Sequence, residues 1–257
     1  MQKDPAVPSR RPKPFLTAEW QSLVMINYEI DPAVLQPYLP RGVELDAWNG
    51  QTFASLVGFL FLNTRVLGVA VPYHRNFEEV NLRFYVRRKG PEGWRRGVVF
   101  IKEIVPRRAI AAVARWFYGE IFVAMRMKHK IDRDGGKNLQ TGSTIEYAWL
   151  AKGYWNRLGV CIQGEPLMAA PGSEEEFITE HYWGYASQRG GRSVEYQVEH
   201  PSWMVWQVSE SYFSCDVSAL YGPQFHESLS GKPSSAFLAE GSPVTVYRGR
   251  HLSRPTP

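Results

Sequence analysis

The stretch "HRNFEEVNLRFYVRR", residues 74–88, holds the densest set of side chains in the chain able to do acid–base or ion-pair chemistry. With the two-residue period of a strand, Glu79, Asn81, Arg83 and Tyr85 share one face, while Val80, Leu82, Phe84 and Val86 share the other. A face carrying a carboxylate, an amide and a guanidinium is either wetted by solvent, with a cross-strand ion pair, or it lines a pocket. In a closed or strongly curved sheet the inward residues of neighbouring strands converge. A carboxylate placed there has its pKa raised by burial or lowered by a nearby arginine, so it can move a proton or help to bind an acid. Two carboxylates beside Arg83 and His74 favour the inward orientation. The expectation is therefore a cavity in which Arg83 pairs with an anionic group, Glu79 acts as acid or base, and Asn81 orients the ligand.

Three other groupings carry weaker signals. "EHYWGYASQRGGRSVEYQVEHPSW", residues 180–203, is dense in Tyr, Trp and His. Aromatics fill volume while keeping a polar handle at a rim, so His181, Tyr182 and His200 can offer hydrogen bonds at a pocket mouth. In "PRRAIAAVARWFYGE" an apolar stripe accompanies Arg115 and Tyr118, and both residues are candidates for ligand contact. "DRDGGK" alternates acids before glycines but lacks the continuation and bidentate Glu of a calcium loop, and is expected to be a turn. No P-loop, GxGxxG, GxSxG or HExxH is present, and the six histidines show no metal-like spacing. No metal or cofactor is expected.

The elements that would position these residues are mostly strands. "FLTAEWQSLVMINYEI" is expected to form the first. Asp31 and Pro32 then start a short helix that Pro37 and Pro40 limit. Asn49-Gly50 tolerates the positive φ angles of a type I′ turn and predicts a hairpin between the apolar runs on either side. Residues 79–88 are expected to pair with 96–105, and a further hairpin is expected over 121–150. Residues 106–120 have helical periodicity, Ser173 with Glu176 forms a capping box, and Asp216 is placed to cap one more turn. "SVEYQV", "MVWQVSESYF", "SSAFLAE" and "PVTVYRG" complete the strands. Many strands joined by tight turns, with few helices, give an α+β chain whose sheet is mainly antiparallel and must curl to protect its edges.

At 257 residues, 44% hydrophobic and 14% aromatic, the chain can bury one large core, expected over 14–257 after a flexible leader at 1–13. The longest apolar run, Leu56 to Leu62, is far shorter than the roughly 20 residues of a membrane helix, and the leader lacks the apolar core of a signal peptide. With two cysteines and no CxxC, Cys161 and Cys215 are expected to be buried free thiols in a cytoplasmic protein. The net charge of +5 is scattered and accompanies no nucleic-acid module, so neither nucleic acid nor membrane is an expected partner, while homo-oligomerisation is left open.

Taken in order, "FLTAEWQSLVMINYEIDPAVLQPYLPRGVELDAWNGQTFASLVGFLF", "HRNFEEVNLRFYVRR", "FYGEIF" and "EHYWGY" resemble a bacterial family of uncharacterised proteins known only as a domain of unknown function. That family is distantly similar to acetoacetate decarboxylase. The resemblance implies a curled antiparallel sheet, a β-cone or double barrel, around a central cavity. It also implies a lysine that forms a Schiff base with a keto acid. The stretch that resembles the lysine segment is "WFYGEIFVAM", which contains none, and no lysine occurs between Lys102 and Lys128. Arg107 and Arg108 cannot substitute, because a guanidinium stays protonated. The first strand also lacks the arginine of the decarboxylase, with none between Arg11 and Arg41. Schiff-base decarboxylation is thus not expected. The resemblance carries a carboxylate onto "FEEVNLRFYV", where Glu79 is the better match and Glu78 the fallback, and it sets Glu120 near the missing lysine as a second acidic candidate. The expected function is a cavity for a small polar metabolite, an organic acid, with or without acid–base chemistry. The rivals are a non-catalytic ligand sensor on the same fold and a structural or interaction protein whose cavity its own aromatics fill.

Overall fold

The computed structural model describes residues 13–70, 74–107, 121–133, 135–136, 138–188 and 190–252. The strands are β1 (Pro14–Glu29), β2 (Glu44–Leu45), β3 (Phe53–Val66), β4 (Val69–Ala70), β5 (Phe77–Gly90), β6 (Gly93–Val105), β7 (Phe122–Ala124) and β8 (Arg126–Asp132). They continue with β9 (Thr144–Ala151), β10 (Tyr154–Met168), β11 (Trp183–Gln188), β12 (Arg192–Glu199), β13 (Met204–Ser214), β14 (Ser235–Tyr247) and β15 (Arg250–His251). Short helices α1 (Pro32–Leu35), α2 (Glu174–Thr179), α3 (Val217–Leu220) and α4 (His226–Ser230) decorate the sheet.

One sheet runs β15-β12-β11-β6-β5-β3-β1-β14-β13-β10-β9-β8, and β12 also pairs with β14. That extra pairing, Val198 with Val246 and Glu199 with Thr245, closes β14, β1, β3, β5, β6, β11 and β12 into a ring. The ring is antiparallel except where β11 runs parallel to β6, Trp183 beside Gly97 and Gly184 beside Val98. Close approach there needs glycine. A Cβ on Gly184 would stand 2.0 Å from Tyr196 Cζ, and one on Gly97 would stand 2.5 Å from the Trp183 carbonyl oxygen. Beyond the ring, β13, β10, β9 and β8 curl back over its outer face.

This double curl explains the composition of the long strands. Along β1, Leu23 and Met25 enter the cluster inside the ring, with Val57, Phe59 and Phe237. Val24 and Ile26 enter the cluster on the other face, with Tyr147, Trp149 and Leu158. A strand covered on both faces reads as a nearly continuous apolar run, as "FASLVGFLFL" does in β3. On β5 the same rule puts Val80, Leu82, Phe84 and Val86 in the outer cluster and turns the polar row inward.

Asp31 caps α1, accepting from Ala33 N at 2.8 Å, and Ser173 caps α2, accepting from Glu176 N at 3.1 Å, both as the sequence predicts. Asp216 likewise caps α3, accepting from Ala219 N at 3.0 Å. The paired hairpin β5–β6 also forms as predicted. Four expectations need correction. Asn49 and Gly50 do make the tight turn, with φ of 51° and 83°, but only Trp48 and Gln51 bridge across it. The preceding run pairs instead with β5, Glu44 opposite Arg87, where Arg87 meets Glu44 at 2.7 Å and Arg96 meets Asp46 at 2.8 Å. "SSAFLAE" and "PVTVYRG" are one strand, β14, bent at Gly241 with φ 88°. The hairpin expected from 121 begins only at β8, because β7 joins β6 in parallel. Cys161 and Cys215 are free thiols, as expected, but half-buried rather than buried. The predicted helix over 106–120 falls largely outside the described residues.

Candidate functional site

Every strand of the ring contributes to the wall of one internal cavity of about 130 Å³. Glu79, Asn81 and Arg83 project into it from β5 and are 4%, 1% and 9% exposed. The strand alternation puts them on the inner face, and β3 and β6 on either side hold the register, with Val57 and Glu103 flanking Asn81. Glu103, 3% exposed, brings a second carboxylate to the same wall.

The remaining polar groups arrive from α2 and the segment after it. The capping box fixes the start of α2, Phe177 and Ile178 anchor it in the core, and Thr179 and His181 emerge at the cavity. The Ile178 carbonyl accepts from Arg83 Nη2 at 3.5 Å. His181 packs against Tyr85, 4.7 Å between ring centroids, and Phe177, 5.3 Å. Its Nε2 stands 3.5 Å from Asp46 Oδ2, and Arg96 Nε donates to the same oxygen at 2.8 Å. The opposite end is aromatic: Trp20 sits edge-on to Phe59 and Phe61, and His200 stacks on Trp203 at 4.1 Å.

Burial drives the electrostatics. It pushes the Glu79 carboxyl up from 4.5 to about 7, although the Asn81 hydrogen bond at 2.9 Å and the Arg83 charge pull the other way. Burial also holds His181 down to about 4, so the imidazole is neutral near pH 7 despite Asp46. Burial opposes ionisation of Asp46 too, but there the close approach of His181 and the hydrogen bond and charge of Arg96 outweigh it and keep the carboxyl at about 2. The cavity therefore holds a carboxyl that can exchange a proton near neutrality, which is what a general acid or base requires. Several buried polar atoms of the wall residues have no protein partner: Asn81 Oδ1, Arg83 Nε, Trp20 Nε1 and both ring nitrogens of His181, whose approach to Asp46 does not make a hydrogen bond.

Of the residues picked from sequence, Glu79, Asn81, Arg83 and His181 thus meet at one cavity. His200, read with His181 as a residue of the pocket mouth, lines it as well. Tyr182 is not part of the wall; its ring lies 4.7 Å from that of His200 and its hydroxyl donates to Glu180. His74, half-buried, is also outside the wall. Arg115, Tyr118 and Glu120 lie outside the described residues. Sequence reasoning missed Glu103, which the β5–β6 register alone would have found, and Asp46, for which no local signal exists. Among the described residues no lysine lines the cavity, and no three His, Cys, Asp or Glu side chains gather as a metal ion would need. No helix among them is long and apolar enough to cross a membrane.

A curled, self-closing antiparallel sheet around such a cavity defines an acetoacetate decarboxylase-like fold. Acetoacetate decarboxylase from Legionella pneumophila is similar over 96% of this chain and 93% of its own, with a TM-score of 0.66 and 15% identity. The enduracididine biosynthesis enzyme MppR, solved in complex with pyruvate, is similar over 97% and 95%, with a TM-score of 0.70 and 17% identity. Within that class, the chain belongs to the DUF2071 family of uncharacterised conserved proteins, which it matches over residues 17–243. The uncharacterised protein YqjF of Bacillus subtilis is 25% identical over 216 residues, 81% of this chain and 82% of its own. Both the family and the fold are those the sequence led us to expect.

Proposed function

We propose that the cavity binds a small organic acid and is equipped for proton transfer to or from it. The observation that carries this reading is the buried row Glu79, Asn81 and Arg83 on the wall of the cavity within the ring. Arg83 brings a buried guanidinium to the wall, suited to a carboxylate, and Glu79 lies on the same strand face as the acid–base group. The pyruvate bound in MppR supports an acid on this fold. Among the described residues no lysine lines the cavity, so the proton transfer we propose invokes no covalent imine.

A thermal-shift screen of hydroxy, oxo, amino and short acyl acids, run beside Arg83→Ala, tests the binding. A ligand at 100 times its Kd stabilises the native state by about 2.7 kcal/mol. An acid that raises the Tm of the wild type but not of the variant is the expected result; no shift in either protein removes the reading. Once an acid is in hand, Glu79→Gln should abolish any turnover while leaving binding nearly intact. Binding without product would instead favour the sensor, which the absent lysine already makes attractive.

A further inference from the structure

The polar row of the wall is flanked by aromatic rings. Phe100 on β6 is paired with Arg83, and Phe59 on β3 is paired with Glu79. Two residues before Glu79 the row itself turns aromatic. There Phe77 is paired with Phe61, and Phe61 with Trp20 on β1, so three neighbouring strands carry one band of rings in register. The Phe61 and Phe77 rings stack at 4.7 Å between centroids, and Trp20 stands edge-on to Phe61 at 5.8 Å. All five of these aromatic residues line the cavity. Much of the polar chemistry of the wall, by contrast, is withdrawn from it: Asn81 Oδ1, Arg83 Nε, Trp20 Nε1 and both nitrogens of His181 are buried out of reach of water. The surface left for a ligand to meet is therefore mostly carbon.

We propose that the cavity is built for a short alkanoic acid, with the carboxylate at Arg83 and a saturated, unsubstituted tail against the rings, in preference to an acid of the same size whose tail is polar. This narrows the small-acid reading and rests on it. Burying an alkyl tail against carbon is favourable in proportion to the area removed from water, whereas a polar group on the tail would exchange its water for carbon. Size sets the length. A cavity of about 150 Å³ admits benzene, with six non-hydrogen atoms, so the 130 Å³ here fits an acid of about the same atom count. Butyrate meets that count.

Calorimetric titration at one pH with the straight-chain acids from acetate to hexanoate reads the tail directly. Each added methylene should tighten Kd about fourfold up to butyrate, and the gain should stop or reverse beyond it as the cavity fills. 3-Hydroxypropionate, which replaces the terminal methyl group of butyrate with a hydroxyl, should bind about tenfold more weakly or worse. Trp20→Phe and Phe59→Leu each leave space beside the tail and should move the best chain length up by about one carbon, which a variant that is only less stable would not do. Equal affinities along the series overturn the alkanoic-acid inference, and so does 3-hydroxypropionate binding as tightly as butyrate through Glu79 or His200. Either result leaves the acid-binding cavity standing as long as Arg83→Ala abolishes the binding. An optimum that stays at butyrate in both aromatic variants also overturns the inference. If no acid of any length binds, both readings fall together.

Discussion

Glu79 and His181 stand on the same wall and are displaced by the same cause in opposite directions, because burial disfavours the charged form of each. Their consequences for stability can be signed. Between 4.5 and about 7 the folded protein keeps a Glu79 proton that the unfolded chain has lost, so stability falls as pH rises through that window. Between about 4 and 6.5 the unfolded chain binds a His181 proton that the folded protein rejects, so stability rises with pH. The two slopes oppose each other up to about 6.5, and above that only the Glu79 penalty remains. Glu79→Gln removes it. Relative to the wild type the variant should gain Tm between pH 5 and pH 8, on a scale of roughly 3 kcal/mol for a carboxyl raised by that amount; a constant difference in Tm across that range would mean the carboxyl is not raised. At this scale the sequence was legible wherever period alone decides. The alternation of 79–85 placed three of the wall's charged and polar groups, whereas Glu103 needed a register and Asp46 needed the tertiary fold to bring it to His181.

Elements were legible where their signal is local and obscure where partners are chosen at long range. The caps of α1, α2 and α3 depend on side chains within three residues, and all three formed. The Asn49-Gly50 turn is equally local and also formed, yet it could not reveal that its leading run would prefer β5, where Arg87 and Arg96 await Glu44 and Asp46. Gly241 and Pro243 look like a break between strands, but a glycine at positive φ lets β14 bend and continue. The seam between β6 and β11 has the least tolerance. Gly184 faces the Tyr196 ring and cannot accept a methyl group unless the ring or the backbone moves. Gly184→Ala should lower stability by about 1–3 kcal/mol, as overpacking does. Chemical denaturation should show a reduced midpoint with an unchanged slope; an unchanged midpoint would mean that the seam is looser than it looks.

For the whole molecule, the many-strand pattern was enough to predict a curled antiparallel sheet, because edges must be protected. It did not reveal the closure, which rests on two residue pairs between β12 and β14. β14 is the common member: it bonds β1 along most of its length, β13 at one end and β12 at the other. A protein ending at residue 234 should lack a cooperative melt and bind a hydrophobic dye, since β1, β12 and β13 lose their shared neighbour. A sharp two-state transition in such a truncation would show that the remaining strands close without it.

The pairing of β1 with β14, from Pro14 opposite Tyr247 to Asn27 opposite Ser235, also has a consequence in time. On the ribosome, the first strand emerges more than two hundred residues before its partner. Until β14 is made the ring cannot close, so Glu79 and Arg83 should stay hydrated through most of synthesis. Desolvation comes late, when the final long strand slots in. Nascent or prematurely terminated chains would therefore have ordinary, water-exposed carboxylates at this position, and the acid–base character of the wall would belong only to polypeptides that have received β14.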